Sequence, residues 1–294
     1  MNINVDFYDP VFLEKLRNVH IVAKKLFHGR LRGKRRSMKK GSSIEFAEFR
    51  SYSPGDDFRF IDWNIMARLK KVMIRSFWDE ENISVNILVD TSKSMHFGSN
   101  PRIIFAKKVS ACLASVALAN HDSVGLGTFS DKPVSMILAH TGTNQLNQCF
   151  TLLQNIQPEG DTNIDLAIRR TLNTGYEKGI LIIISDMLDT HGFQPPLIYA
   201  LAHGFEVHLI HIGAHPEITH YSPALRLRDS ETGGYMDINC PDTLNQLLID
   251  EQNRYSEEIE KFCHSRKIPY FYADTETQFD VFVLQYFKTL FRTN

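Results

Sequence analysis

The sequence predicts an α/β fold with a mostly parallel sheet covered by helices on both faces, and three observations carry that prediction. From about residue 82 onward, short apolar stretches alternate with helix-length amphipathic ones, the order that parallel strands joined by crossover helices require. The stretch "GILIIIS" (179–185) is apolar at successive positions, as a central strand buried on both faces must be. "VNILVD" (85–90) has the same character and ends in a carboxylate, Asp90.

The elements follow in order. "PVFLEKLRNVHIVAKKLF" carries Phe12, Leu16, Val19 and Val22 or Ala23 at helical spacing, which predicts an amphipathic helix. It runs into residues 24–40, with nine basic residues and no acid. Aromatic and β-branched stretches on either side of "SPGDD" then predict short strands around a loop. Residues 1–80 are therefore expected to form a small N-terminal helix and β-containing extension, and 81–294 the α/β domain. In that domain "ISVNILVD" is a strand, and a helix from Pro101 to about Asn120 follows, opened by proline in its first turn. "DSVGLGTFS" and "PVSMILA" read as a strand pair, Asn144 to Ile156 and "NIDLAIRRTLNTGY" as helices, and "FEVHLIHI" as a second buried strand. "LRLRDSETGGYMDI" reads as a hairpin turning at Thr232 to Gly234. The last third closes with a helix striped by Leu244, Leu247, Leu248, Tyr255, Ile259 and Phe262, a strand "IPYFYA", and a helix from Phe279 to Phe291.

With 33 basic against 34 acidic residues, no whole-chain attraction to nucleic acid or membrane is expected, so any such attraction must be local. The apolar runs are far shorter than the roughly 18–20 residues of a bilayer span. The stretch "MNINVDFYDP" carries acids where a secretory signal has a basic start, so a cytoplasmic location is expected. Cys112, Cys149, Cys240 and Cys263 are scattered without a CxxC pair, which predicts reduced thiols and no zinc framework.

The chemistry concentrates after the first apolar strand. Sheets of this class bind ligands at the carboxyl ends of their strands, where Asp90 lies. In an extended loop, alternate residues of "DTSKS" would turn Asp90, Ser92 and Ser94 toward one point. A carboxylate and two hydroxyls are hard oxygen donors, suited to Mg²⁺, Ca²⁺ or Mn²⁺. Two further oxygen donors stand at comparable places: Thr162, just before a helix in "EGDTNID", and Asp186, ending the most apolar strand in "IIISDML".

"DTSKSM", a loop threonine before a helix, and "IIISD" together resemble the metal-ion-dependent adhesion site (MIDAS) of von Willebrand factor A domains. The upstream stretch "RSMKKGSSIEFAEFRSYSPGDDFRFIDWNIMARLKKVMIRSFWDEE" is similar to the signature of the DUF58 family, which joins such a Rossmann-like domain to a preceding segment. This resemblance implies that Asp90, Ser92, Ser94, Thr162 and Asp186 hold a divalent ion, Mg²⁺ first, directly or through water. It implies recognition without catalysis, with an Asp or Glu of a partner protein taking the ion's open position. It also implies a MoxR-type AAA+ ATPase as partner, in protein maturation or remodelling. The third loop departs from the pattern, since "SDML" stands where many relatives have Thr-Asp-Gly.

Other readings compete at several residues. A nucleophilic Ser92 or Ser94 with His96 as base lacks the strand–turn–helix elbow such sites use. His203, His208, His211, His215 and His220 suggest zinc by density, but His208 and His211 are three apart on a strand and face opposite sides. Asp56, Asp57, Asp62 and Arg59 offer a catalytic acid cluster, but the favoured reading is a turn whose carboxylates cap backbone N–H groups and pair with Arg50, Arg59 or Arg68, above Phe58, Phe60 and Trp63 packed beneath. The basic run 30–40 lacks interleaved aromatics, so a solvated surface or a docking patch for an acidic protein is expected rather than nucleic acid. The remaining alternatives are a metal-dependent hydrolase or nuclease, and a nucleic-acid-binding module using residues 30–40.

Overall fold

The computed structural model describes residues 3–30, 36–37, 46–77, 79–80, 82–96, 101–132, 135–174, 177–213, 225–228, 235–238 and 241–292. Its packing divides into two compact units, Met1–Lys24 with Ile83–Asn294, and Lys25–Asn82. The sequence reading puts all of residues 1–80 in the extension, whereas packing joins the first 24 to the sheet unit. The reason is apolar burial. Helix α1 (Pro10–Arg30) buries Phe12, Leu16, Val19 and Ala23, the stripe resolving to Ala23 rather than Val22. Phe7 stacks on Phe150 at 5.0 Å between ring centroids, and Phe12 on Phe279 at 5.2 Å. The buried Lys107 ties the segment down further, its Nζ donating to the carbonyls of Ile3 at 3.2 Å and Ile156 at 3.1 Å.

The unit Lys25–Asn82 holds β1 (Arg36–Ser37), β2 (Phe46–Ser51), α2 (Trp63–Leu69), β3 (Met73–Phe77) and β4 (Asp79–Glu80). β2 pairs antiparallel with β3, and β1 with β4. Helix α2 was not expected from the strand-like composition. Asp62 starts it, accepting from the N–H groups of Asn64 and Ile65 at 2.9 and 3.0 Å. The other acids of this turn are also structural. Asp56 takes both terminal nitrogens of Arg50 at 2.7 Å, Asp57 pairs with Arg59, and Asp62 pairs with Arg75 rather than Arg68. Two of the three aromatics do not lie beneath: Phe58 and Trp63 are 66% and 63% exposed, while Phe60 is partly buried.

The sheet unit continues with β5 (Ser84–Asp90), α3 (Arg102–Ala119), β6 (Ser123–Phe129), β7 (Met136–His140), α4 (Thr143–Asn155), α5 (Ile164–Asn173) and β8 (Ile180–Ser185). After these come α6 (Gln194–Ala202), β9 (Glu206–Gly213), β10 (Leu225–Arg228), β11 (Tyr235–Ile238), α7 (Pro241–Ser265), β12 (Tyr270–Asp274) and α8 (Phe279–Arg292). The six-stranded sheet runs β12-β9-β8-β5-β6-β7, parallel throughout except for β7 at one edge. The α/β class is as the sequence predicts. β5 is buried at every residue, and β8 at all but its first. Leu88, Ile183 and Leu209 share one apolar cluster with residues of α5, α6 and α7, while α3 packs against α4 and α8. Thirteen of the 18 residues of α3 are buried, more than the single stripe of a surface helix.

Pro101 is the N-cap of α3 rather than part of its first turn. On α7, Ile259 is buried and Tyr255 and Phe262 pack on the core, but Leu247 is 60% exposed and leaves the stripe. β10 and β11 pair antiparallel as a hairpin would, and the expected turn at Thr232 to Gly234 lies outside the described residues. His215, His220, Cys240 and most of the basic run 30–40 lie outside them as well. Among the described residues, no helix is long and apolar enough to cross a membrane.

Candidate metal centre

The strand order reverses at β5. The chain moves from β5 to β6 and β7 on one side, then returns to build β8, β9 and β12 on the other. The carboxyl ends of β5 and β8 therefore flank the topological switch point, where open sheets of this kind have their crevice. Asp90 is the last residue of β5, and Asp186 immediately follows β8.

All five residues singled out in the sequence are buried, with Asp90 and Ser92 at 0% exposure and Ser94, Thr162 and Asp186 at 1–3%. One hydrogen-bond network joins them. Thr162 donates its hydroxyl to Asp90 Oδ2 at 3.2 Å, the hydroxyls of Ser92 and Ser94 lie 2.9 Å apart, and Arg102 Nη1 joins the Ser94 carbonyl to Asp186 Oδ2. The loop reaches this arrangement by turning, not by staying extended. Ser92 N–H donates to Asp90 Oδ1 at 2.9 Å, and a 3₁₀ turn over Lys93–His96 brings Ser94 back. The second loop is stitched to the first, Lys93 N–H donating to the Gly160 carbonyl at 3.0 Å and Glu159 N–H to that of Thr91 at 2.8 Å. Thr162 is fixed one residue before Asn163, whose side chain caps α5 by accepting from Leu166 N–H at 2.8 Å.

The third loop answers the question raised by "SDML". Met187 sits at φ 61° in the left-handed region, so the backbone keeps the conformation a glycine would supply. Its side chain is fully buried in the apolar cluster with Leu88 and Ile183, and this burial offsets the roughly 1–2 kcal/mol cost of that conformation. Ser185 holds the same corner: its hydroxyl donates to Asp90 Oδ2 at 2.6 Å and accepts from Met187 N–H at 2.8 Å.

Ser185 and Arg102 escape the sequence reading, and His211 enters it only as a zinc candidate. Ser185 stood inside the quoted "IIISD", and its hydroxyl was the available signal. Arg102 Nη1 donates to Asp186 Oδ2 at 3.2 Å and to the Ser94 carbonyl at 3.1 Å. His211 contacts the hydroxyl of Tyr270 at 2.9 Å and the Asp186 backbone, and burial followed by the Arg102 charge lowers its imidazole to about 4. It is neutral at physiological pH. His208 meets Tyr286 at 2.6 Å and Glu206 at 3.2 Å, so the two histidines serve separate partners. Among the described residues, no three His, Cys, Asp or Glu side chains gather as a metal group. His96 is exposed while Ser92 and Ser94 are buried. Burial raises the thiols of Cys112, Cys149 and Cys263, which makes them poor nucleophiles.

Charge tests whether these residues suit a cation. Burial, and then the neighbouring Asp186, push the Asp90 carboxyl up to about 7. Burial raises Asp186 too, opposed by the Arg102 charge and the Ser94 hydroxyl. Of the two buried carboxylates Asp186 meets the Arg102 guanidinium and Asp90 meets hydroxyls and a backbone N–H, so an ionised pair leaves negative charge uncompensated in a low-dielectric corner. The donors are oxygen only. A hard divalent ion fits both the deficit and the donor set.

Uncharacterized proteins of Mycobacterium bovis and Mycobacterium tuberculosis are 29% identical over 201 residues, 65% of this chain. The chain spans 62% of the length of these curated relatives. Solved structures similar to it include conserved hypothetical protein BatB from Bacteroides thetaiotaomicron, 19% identical, covering 72% of this chain and 100% of that one with a TM-score of 0.47. Another is the SpRpn10 VWA domain, 12% identical, covering 45% of this chain and 76% of that one with a TM-score of 0.35. Residues 48–258 match the family described as "Protein of unknown function DUF58", and the chain belongs to that family.

Proposed function

We propose that this chain is a non-catalytic protein-interaction module working through a divalent cation. Asp90, Ser92, Ser94, Thr162 and Asp186 hold the ion, Mg²⁺ first with Ca²⁺ or Mn²⁺ as substitutes, and an Asp or Glu of a partner protein takes its remaining position. The observation that carries the reading is the buried cluster of two carboxylates and three hydroxyls at the switch point. When bound, the ion supplies positive charge that attracts a further carboxylate. The chain's own side chains hold and orient it: Ser185 and Ser92 N–H fix the two oxygens of Asp90, and Leu188 N–H fixes Asp186 at 3.2 Å. We further propose a MoxR-type AAA+ ATPase as partner, in protein maturation or remodelling. This chain has no GxxxxGK[ST] loop with which to bind nucleotide phosphates itself.

A metal-dependent hydrolase needs a general base beside the ion. Of the groups around the cluster, Arg102 is a cation, and the His211 ring is held by Tyr270 and the Asp186 backbone. Pull-down of a MoxR-type ATPase from the same genome, with and without Mg²⁺ and with Asp90→Ala, tests the proposal. Capture that requires the ion and is lost in the variant supports it. Capture indifferent to both chelation and mutation contradicts it, as does metal-dependent hydrolysis of a phosphoester by the purified chain.

A further inference from the structure

Arg102 breaks two local rules. It occupies the first turn of α3, where the positive end of the helix dipole favours an acid and disfavours a cation. Its side chain is only 14% exposed, and its Nε–H is buried without an acceptor among the described residues. Among the described residues, Nη1 is the nitrogen engaged, with Asp186 Oδ2 and the Ser94 carbonyl. Arg50 meets Asp56 elsewhere in this chain with two parallel bonds, whereas Arg102 meets Asp186 with one and leaves its Nε–H over. Breaks of local preference of this kind concentrate at functional sites.

Formal charge shows what the arginine does. The two carboxylates and a divalent ion sum to zero, and a neutral centre has no net charge with which to draw in a third carboxylate. With Arg102 beside Asp186 the sum is one positive charge, which a single incoming carboxylate cancels. We propose that Arg102 is the specificity-determining residue that makes this centre a carboxylate receptor, at the expense of its affinity for the ion. The inference rests on the metal reading above. It assigns opposite signs to two measurable affinities: the guanidinium repels the ion and attracts the anionic ligand. A purely structural role for Arg102 gives both effects the same sign, because a loosened centre binds both more weakly.

The test uses the full chain, Mn²⁺ as the ion and acetate as the carboxylate probe, read by water-proton relaxation. Arg102→Gln removes the charge and keeps a hydrogen-bonding side chain, and Arg102→Lys keeps the charge and guards against a folding defect. Arg102→Gln is expected to bind Mn²⁺ at least about tenfold more tightly than the wild type, because a unit charge at contact distance is removed from a partly buried site. The acetate affinity of its Mn²⁺ complex is expected to fall about as far, with Arg102→Lys close to the wild type in both. If the wild type binds Mn²⁺ and Arg102→Gln binds it equally or more weakly, or takes acetate undiminished, the role of Arg102 is overturned and the metal site stands. If the wild type binds no Mn²⁺, the metal reading fails and the inference falls with it.

Discussion

Replacing Asp90 by Asn should make the protein more stable at neutral and alkaline pH while abolishing ion binding. Asp90 is fully buried, and its carboxyl is raised from an ordinary 3.8 to about 7, first by burial and then by Asp186. A group whose folded-state value lies above its unfolded one stabilises the fold at low pH, and that contribution is lost as pH rises through the folded value. The loss here runs from about pH 4 to above pH 7, and at about 1.36 kcal/mol per pH unit its ceiling is ~4 kcal/mol. Asn removes the charge and keeps an oxygen for Ser92 N–H. Its N–H₂ group then faces hydroxyls of Thr162 and Ser185 that now donate to Asp90. Turning those hydroxyls costs about 1 kcal/mol. Urea denaturation in EDTA at pH 8 should therefore show Asp90→Asn more stable than wild type by roughly 2–3 kcal/mol, with the gap closing at pH 5. Saturating Mg²⁺ should stabilise only the wild type. An Asn variant less stable than wild type at pH 8, or a gap that ignores pH, would refute the claim that the centre stores uncompensated negative charge.

Two further outcomes follow from the same packing. Met187→Gly relieves the left-handed backbone by about 1 kcal/mol but empties a fully buried position worth roughly 2–5 kcal/mol, so thermal or urea unfolding should show a net loss of ~1–4 kcal/mol. Gain of stability would mean that the buried side chain does not offset the backbone strain. Burial lowers the Lys107 amine from 10.5 to about 8, so between these values the unfolded chain binds a proton that the folded chain has released, and stability should rise with pH across that window. Lys107→Met should remove this rise when its urea midpoints are compared with those of the wild type from pH 7.5 to 10. An identical pH profile in the two proteins would contradict that assignment.

The parts of the centre legible in the sequence are those that residue type and strand position alone determine. Asp90 ends one buried strand and Asp186 follows its neighbour, and the parallel-sheet rule brings such ends together without knowledge of any side-chain contact. Ser92 and Ser94 were found by alternation although the loop turns through a 3₁₀ segment, because an Asx turn at Asp90 restores the convergence. Arg102 was invisible because an arginine in a helix's first turn looks like a solvated surface residue, and its contact with Asp186 spans 84 positions. Met187 gave no sign of its positive φ, since the side chain that normally argues against that conformation is the one that stabilises it here. The same limit applies to the fold. The stripe Phe12, Leu16, Val19 and Ala23 announces a buried helix face but not what buries it, which is why sequence alone groups residues 1–24 with the extension. Phe58 and Trp63 look like core residues by composition, and only the structure shows them at the surface.

A crystal of the chain soaked in Mn²⁺, with anomalous differences measured at the manganese edge, tests the central claim most directly. The account predicts a peak enclosed by Asp90, Ser92, Ser94, Thr162 and Asp186, with its directly bound oxygens at roughly 2.0–2.6 Å, as for hard cations generally, and its disappearance in Asp90→Asn crystals. A fully soaked crystal with no peak among those five side chains, or one retained in the Asn variant, would contradict it.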